Sequence, residues 1–144
     1  MRSPGFTLIE TLVVLLILAL AATALPRLWG AGRGALLRAA ADDAAAMLRE
    51  ARMEARRTGR ETGVVFDTEL GSFRRASGGR TGYLPSGSAL IVEATQAGLR
   101  PDGRIAILFD AEGGSTGGRV RIVQSSSAAD VAVDWMTGHV QPSR

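Results

Sequence analysis

Few residues of this chain have the types and spacing that chemistry needs. Asp102, Asp110 and Glu112 could offer oxygen ligands to calcium, but they do not follow the regular donor spacing of a calcium loop. His139 is the one histidine and cysteine is absent, so the sequence indicates neither a zinc site nor a nucleophile–base pair. We predict solvated turn carboxylates, no metal, no cofactor and no enzyme; a signal-anchored enzyme is a disfavoured alternative.

The glycine-rich segment Gly113–Arg119 shares only its glycines with a phosphate-binding loop. Such a loop needs a lysine followed by Ser or Thr at the start of a helix. Here Arg119 and Val120 follow, and the residues after them alternate as a strand does. We therefore predict a hairpin turn.

Arginines spaced by three and four residues form a stripe, which consists of Arg49, Arg52, Arg56 and Arg60. Glu50, Glu54 and Glu61 interleave with it, which favours a solvated face of mixed charge over a nucleic-acid footprint. A second basic group, Arg74, Arg75 and Arg80, is predicted in a loop. The net charge of +3 does not by itself require a nucleic-acid partner.

The elements that position these residues begin with an apolar run, Phe6–Leu25, in which Glu10 is the only charge. Twenty helical residues span about 30 Å, the thickness of a bilayer core. The run therefore predicts a membrane-spanning helix. A buried core helix and a cleaved secretory signal ending near Ala22–Ala24 are the alternatives. Pro26 is expected to kink or interrupt the helix.

The rest of the chain predicts an amphipathic helix followed by antiparallel strands. From Ala35 to Thr58 apolar residues recur at helical spacing, and Gly59 is a plausible stop; the stripe is Leu37, Ala41, Ala44, Leu48, Ala51 and Ala55. Short runs rich in β-formers follow, several with period two: Gly63–Asp67, Ser72–Arg74, Leu90–Glu93, Arg104–Phe109, Arg119–Val123 and Asp130–Trp135. Val131, Val133 and Trp135 are expected to share one face. The fold class predicted is α+β.

The N-terminal residues Gly5-Phe6-Thr7-Leu8-Ile9-Glu10 resemble the class III signal of type IV pilins and type II secretion pseudopilins. The resemblance implies that a prepilin peptidase cuts between Gly5 and Phe6 and that Phe6 becomes N-methylated. It also implies that the carboxylate of Glu10 pairs with the N-terminal amine of a neighbouring subunit during assembly.

Two C-terminal segments resemble signatures of the minor pseudopilin H of type II secretion, the general secretion protein H family. They are Ile107–Ile122, which contains GGSTGGRVRI, and Val131–Val140, which contains DWMTGHV. The family implies a pilin-like fold, in which a long N-terminal helix, first transmembrane and then amphipathic, packs on antiparallel β-sheets. It implies a structural subunit at the tip of the pseudopilus that drives export of folded proteins across the outer membrane.

This resemblance divides the chain into a leader (1–5), a transmembrane helix (6–26), a periplasmic helical half (27–59) and a β-rich periplasmic domain (60–144). It places the protein in the inner membrane as a single-pass subunit. The partners implied are the prepilin peptidase, other major and minor pseudopilins, the inner-membrane secretion platform and membrane lipid, without nucleic acid. The alternative is a minor type IV pilin involved in DNA uptake or pilus assembly. Its typical glycine–arginine–any–arginine ending is replaced here by Gly138-His139-Val140-Gln141.

Overall fold

The structure, a computed structural model, describes residues 8–143, with side chains described for 8–22, 32 and 34–142. The chain divides into two compact units, Met1–Arg33 and Gly34–Arg144. All the buried apolar residues of the described part lie in the second unit, between Leu37 and Val140. The second unit therefore contains the hydrophobic core.

One helix, α1, runs Leu8–Thr58. The backbone is helical through Pro26 and the glycines that follow, so of the two expected effects of Pro26, a kink or an interruption, the interruption is wrong. A proline inside a helix removes one backbone donor and its ring crowds the carbonyl four residues earlier, which bends a helix more often than it ends it. The helix ends where predicted, because Gly59 takes a positive φ of 65° and its N–H donates to the Ala55 carbonyl at 2.9 Å.

The apolar stripe predicted on the second half of α1 is buried. All six of its residues are at most 3% exposed, and Ala40, Ala45 and Met47 are buried beside them. Alanines dominate this stripe, so the helix backbone can approach the strands closely, as the sequence predicts. The helix and both sheets share one hydrophobic core.

Within residues 8–143, eight strands form two antiparallel sheets. The first sheet has the order β3-β2-β1-β5 and consists of β1 (Thr62–Asp67), β2 (Ser72–Arg75), β3 (Thr81–Tyr83) and β5 (Ile105–Phe109). The second has the order β4-β6-β7-β8 and consists of β4 (Ala89–Ala94), β6 (Gly118–Gln124), β7 (Ser127–Val133) and β8 (Val140–Ser143). The predicted α+β fold with antiparallel sheets is confirmed.

The period-two pattern of the second sheet is confirmed for β6. Val120 and Ile122 are buried in the core, while Arg119 and Arg121 point to the outer face. Arg121 pairs there with Asp130 of β7, through N–O distances of 2.8 and 3.0 Å. Trp135 does not join Val131 and Val133 in the core, because β7 ends at Val133 and Trp135 is 65% exposed.

The strand prediction has two further errors. Arg75 lies in β2 rather than in a loop, and Arg74 agrees with the predicted strand Ser72–Arg74 rather than with the predicted loop. The strands β3 and β8 were not predicted. Both missed strands are edge strands, and each contains a residue that disfavours strand prediction, Gly82 in β3 and Pro142 in β8. An edge position tolerates Pro142 because one side of the strand needs no ladder hydrogen bond.

Candidate functional site

The residues of the proposed processing site, Gly5 and Phe6, lie outside the described residues. Glu10 is described: it lies in the first turn of α1 and its side chain is exposed. Leu8 and Ile9 beside it are 81% and 71% exposed. Among the residues whose side chains the structure describes (8–22, 32 and 34–142), none forms an ion pair with Glu10.

No helix among the described residues reaches the combined length and apolarity of a membrane span.

The glycine-rich segment begins with a tight turn directly after β5. The N–H of Gly114 donates to Asp110 Oδ1 at 2.7 Å, and Phe109 and Ser115 form an isolated antiparallel bridge. Asp110 is therefore a turn carboxylate, as predicted. Within the described residues no cluster of three metal-ligating side chains exists, for calcium or any other ion.

The segment then leaves the first sheet and enters the second. The Thr116 N–H donates to the Leu108 carbonyl at 3.0 Å, and the Thr116 hydroxyl accepts from the Leu108 N–H at 3.0 Å. The predicted turn is confirmed, because the chain reverses between Asp110 and Gly114 and an antiparallel bridge joins Phe109 to Ser115. The predicted hairpin does not extend further, since β5 and β6 belong to different sheets. The alternation of β6 predicts a strand but not which strand it pairs with, and long-range pairing with β4 and β7 decides that.

The C-terminal signature forms a second tight turn around Asp134. Its Oδ1 accepts hydrogen bonds from the N–H of Met136 at 3.1 Å and from the N–H and hydroxyl of Thr137, both at 2.8 Å. The hydrogen bond from the Thr137 N–H is the main cause that lowers the pKa of Asp134, and the Thr137 hydroxyl adds to it. The turn leaves Trp135 and Met136 exposed at its tip.

The structure brings these two signature segments together. The N–H of Ser115 donates to the Trp135 carbonyl at 2.9 Å. A Cβ added at Gly117 would lie 2.8 Å from the Cβ of Trp135, and one added at Gly138 would overlap the Gly113 carbonyl oxygen. The glycines therefore permit a close backbone approach that no other residue allows.

Arg52 of α1 joins both segments to the helix. Its Nε donates to the Gly113 carbonyl at 3.3 Å and its Nη2 to the Thr137 carbonyl at 2.7 Å. Arg49 reaches the Val140 carbonyl at 3.4 Å. The predicted solvated face is confirmed for Arg49, Arg56 and Arg60, which are exposed, whereas it is wrong for Arg52, which is half-buried and bonded to two carbonyls. The helical spacing of Arg49 and Arg52 was visible in the sequence, but their carbonyl partners are sixty or more residues away and depend on the fold.

Other charged residues named in the sequence analysis form salt bridges at different places in the domain. Arg75 pairs with Glu54 at 3.4 Å, Arg80 with Asp43 at 2.7 Å, and Arg104 with both Asp102 and Asp67 at 3.0 and 2.9 Å. His139 is exposed beside the Asp134 turn. These residues do not converge on a catalytic arrangement within the described chain.

Asp134→Asn is expected to reduce the loss of stability in acid. The pKa of Asp134 in the folded state lies below its ordinary value of 3.8. The carboxylate therefore stabilises the fold above that ordinary value, and this contribution is lost as the pH falls through the folded pKa. Thermal unfolding of the wild type and the variant between neutral pH and about pH 3 measures the difference. An identical acid response of the two proteins would exclude a role for Asp134.

Two solved structures share this fold. The minor pseudopilin EpsH of Vibrio cholerae aligns with a TM-score of 0.59 and 16% identity, covering 74% of this chain and 95% of that one. The type IV minor pilin FimU of Pseudomonas aeruginosa aligns with a TM-score of 0.56 and 19% identity, covering 75% and 88%. At these identities the likeness concerns the fold alone, which is pilin-like.

Sequence relatives give the family. Residues 40–138 match the family of type II transport protein GspH, and residues 1–26 match the prokaryotic N-terminal methylation motif. The type II secretion system protein H of Xanthomonas campestris is 36% identical over 139 residues, which cover 95% of this chain and 81% of that relative. The chain belongs to the GspH family, the minor pseudopilins of type II secretion, so the predicted resemblance is confirmed.

Proposed function

We propose that this protein is a structural subunit at the tip of the type II secretion pseudopilus and that it helps drive folded proteins across the outer membrane. The observation that carries the proposal is the junction of the two signature segments on Arg52, which lies inside the matched residues 40–138. Such a junction stiffens the domain against its helix, which suits a subunit that transmits force. The role is structural, with no enzymatic step assigned to the chain.

The first half of α1 supports an inner-membrane anchor. Its large apolar side chains from Leu8 to Leu20 are exposed and need lipid or neighbouring helices to cover them. We propose that residues 6–26 form the single membrane pass and that residues 27–144 lie in the periplasm. Lipid, the other pseudopilins and the secretion platform are the partners that this placement brings into contact.

The N-terminal methylation motif supports processing at residues 5 and 6. We propose that the prepilin peptidase removes residues 1–5 and that Phe6 is then N-methylated. The new amine of Phe6 is a positive charge in an apolar surrounding, and Glu10 offers the carboxylate that neutralises it in a neighbouring subunit. The pairing would set the axial register between subunits.

Gly5→Leu is expected to leave the leader attached. A bulky side chain at the cleavage position excludes the peptide from a site that accepts glycine, so cleavage should fall below detection. Mass spectrometry of the membrane-purified protein reads the N-terminus directly. Gly32→Leu is the matched control, because an added Cβ there meets no atom within 4 Å. A mature, methylated Phe6 in the Gly5 variant would overturn the cleavage assignment.

A further inference from the structure

A basic groove runs along one flank of α1, and the assembly proposed above does not use it. It has a volume of about 250 Å³ and is lined by Arg49, Arg52, Met53, Arg56, His139 and Val140. The three arginines share one helix face by their spacing of three and four residues. No carboxylate lines the groove.

The three groove arginines differ from four other arginines of this domain in their ionic partners. Arg75, Arg80, Arg104 and Arg121 each form a salt bridge, whereas none of the three groove arginines pairs with a carboxylate of residues 8–143. Arg49 and Arg52 donate only to neutral carbonyls. A guanidinium has more N–H donors than these contacts use, so the groove retains positive charge and free donors.

The opposite flank of the same helix carries the acidic residues. Glu50, Glu54 and Arg57 lie with Arg75 on that side, and Glu54 is already engaged by Arg75 and Ser77. Met53, 64% exposed, lines the grooves on both flanks. The mixed charge read from the sequence is therefore separated in space into a basic flank and a flank that contains carboxylates.

We propose that this basic groove binds an acidic segment of a protein partner, with carboxylate side chains of that segment contacting Arg49 and Arg56 and an apolar side chain packing on Met53. Charge complementarity identifies the occupant, since arginine forks match carboxylate geometry. The volume lies below the roughly 300–1,000 Å³ of small-molecule sites. No Phe, Tyr or Trp side chain lines the groove for base stacking, and His139 supplies its one ring, which favours protein over single-stranded nucleic acid.

Binding of a fluorescent polyglutamate peptide to the full-length protein in uncharged detergent tests this proposal. Arg56→Gln is expected to weaken binding about fivefold, and Arg49→Gln by a similar factor, with a further loss at high salt. Arg57→Gln is the matched control: it removes the same charge one residue away, on the other flank. Its affinity should equal that of the wild type.

Three outcomes would overturn the proposal. They are no peptide binding at millimolar concentration, equal weakening by Arg56→Gln and Arg57→Gln, or tighter binding of a single-stranded oligonucleotide with the same dependence on Arg56. The N-terminus of each variant is measured in parallel. A variant that is cleaved at Phe6 but does not bind the peptide would contradict the groove proposal and leave the pseudopilus assignment intact. The two can be told apart because peptide binding in the groove requires neither cleavage nor Glu10.

Discussion

Glu10→Ala is expected to yield a protein that is inserted and cleaved normally but does not enter the pseudopilus. A charge within a membrane segment costs about 2–3 kcal/mol on insertion scales, so alanine eases insertion. In the proposed pairing, the variant lacks the carboxylate that neutralises the Phe6 amine of its neighbour, and this amine then stays an unpaired charge in an apolar surrounding. Assembly should fall to near zero, because the amine remains uncompensated at each contact.

Crosslinking of the variant to the other pseudopilins, together with secretion of a folded cargo, measures this effect. Glu10→Gln keeps the size of the side chain and removes its charge, so it should fail as alanine does. Thr11→Ala is the matched control: its hydroxyl bonds to the carbonyl of Leu8 in its own helix, at 2.8 Å, and its loss should leave assembly intact. Normal co-assembly of Glu10→Gln would refute charge pairing as the function of Glu10.

Gly138→Ala is expected to lower the free energy of unfolding by about 3 kcal/mol. Gly138 has a φ of 61°, a conformation that costs a residue with a Cβ about 1–2 kcal/mol. The new methyl group would also overlap the Gly113 carbonyl oxygen and lie 2.9 Å from Nε of Arg52. The substitution therefore separates the two signature segments and displaces the arginine that joins them to α1.

Gly59→Ala controls for the backbone conformation alone. Gly59 has nearly the same φ, 65°, but an added Cβ there meets no atom within 4 Å. It should cost only the conformational part, about 1–2 kcal/mol. Denaturant unfolding measures the loss in the free energy of unfolding for each variant. The amount by which the loss for Gly138→Ala exceeds the loss for Gly59→Ala is the contribution of the junction. Equal losses would mean that the junction adapts to the methyl group and does not depend on close backbone approach.

Local periodicity predicted much of this fold correctly. The buried stripe of α1 and the inward face of β6 follow from the spacing of apolar residues, because burial of a helix or strand face repeats at a set interval. Gly59 as the helix end follows equally from the conformational freedom of glycine. Each of these depends on residues close together in sequence, so no knowledge of the tertiary structure was needed.

The errors occurred where distant segments decide the outcome. Alternation predicted β6 as a strand, but not that it pairs with β4 and β7 rather than β5. β3 was not predicted because Gly82 breaks the strand pattern, yet this glycine leaves the space that the Phe73 ring occupies, which a Cβ would overlap. Trp135 continued the alternation of β7 in sequence, but the Asp134 turn ends the strand before it.

The candidate site divides in the same way. The sequence by itself determined the family, through the N-terminal motif with Glu10 and the two C-terminal signatures, because these are runs of neighbouring residues that can be read without a fold. Only the tertiary structure decided what the signatures do. In the folded chain the Arg52 guanidinium donates hydrogen bonds to the carbonyls of Gly113 and Thr137. The charged residues of the helix are also separated onto two flanks. The Arg52 contacts join backbone carbonyls to a side chain sixty or more residues away. Because every residue has a backbone carbonyl, the residue types do not show which carbonyls the side chain will contact.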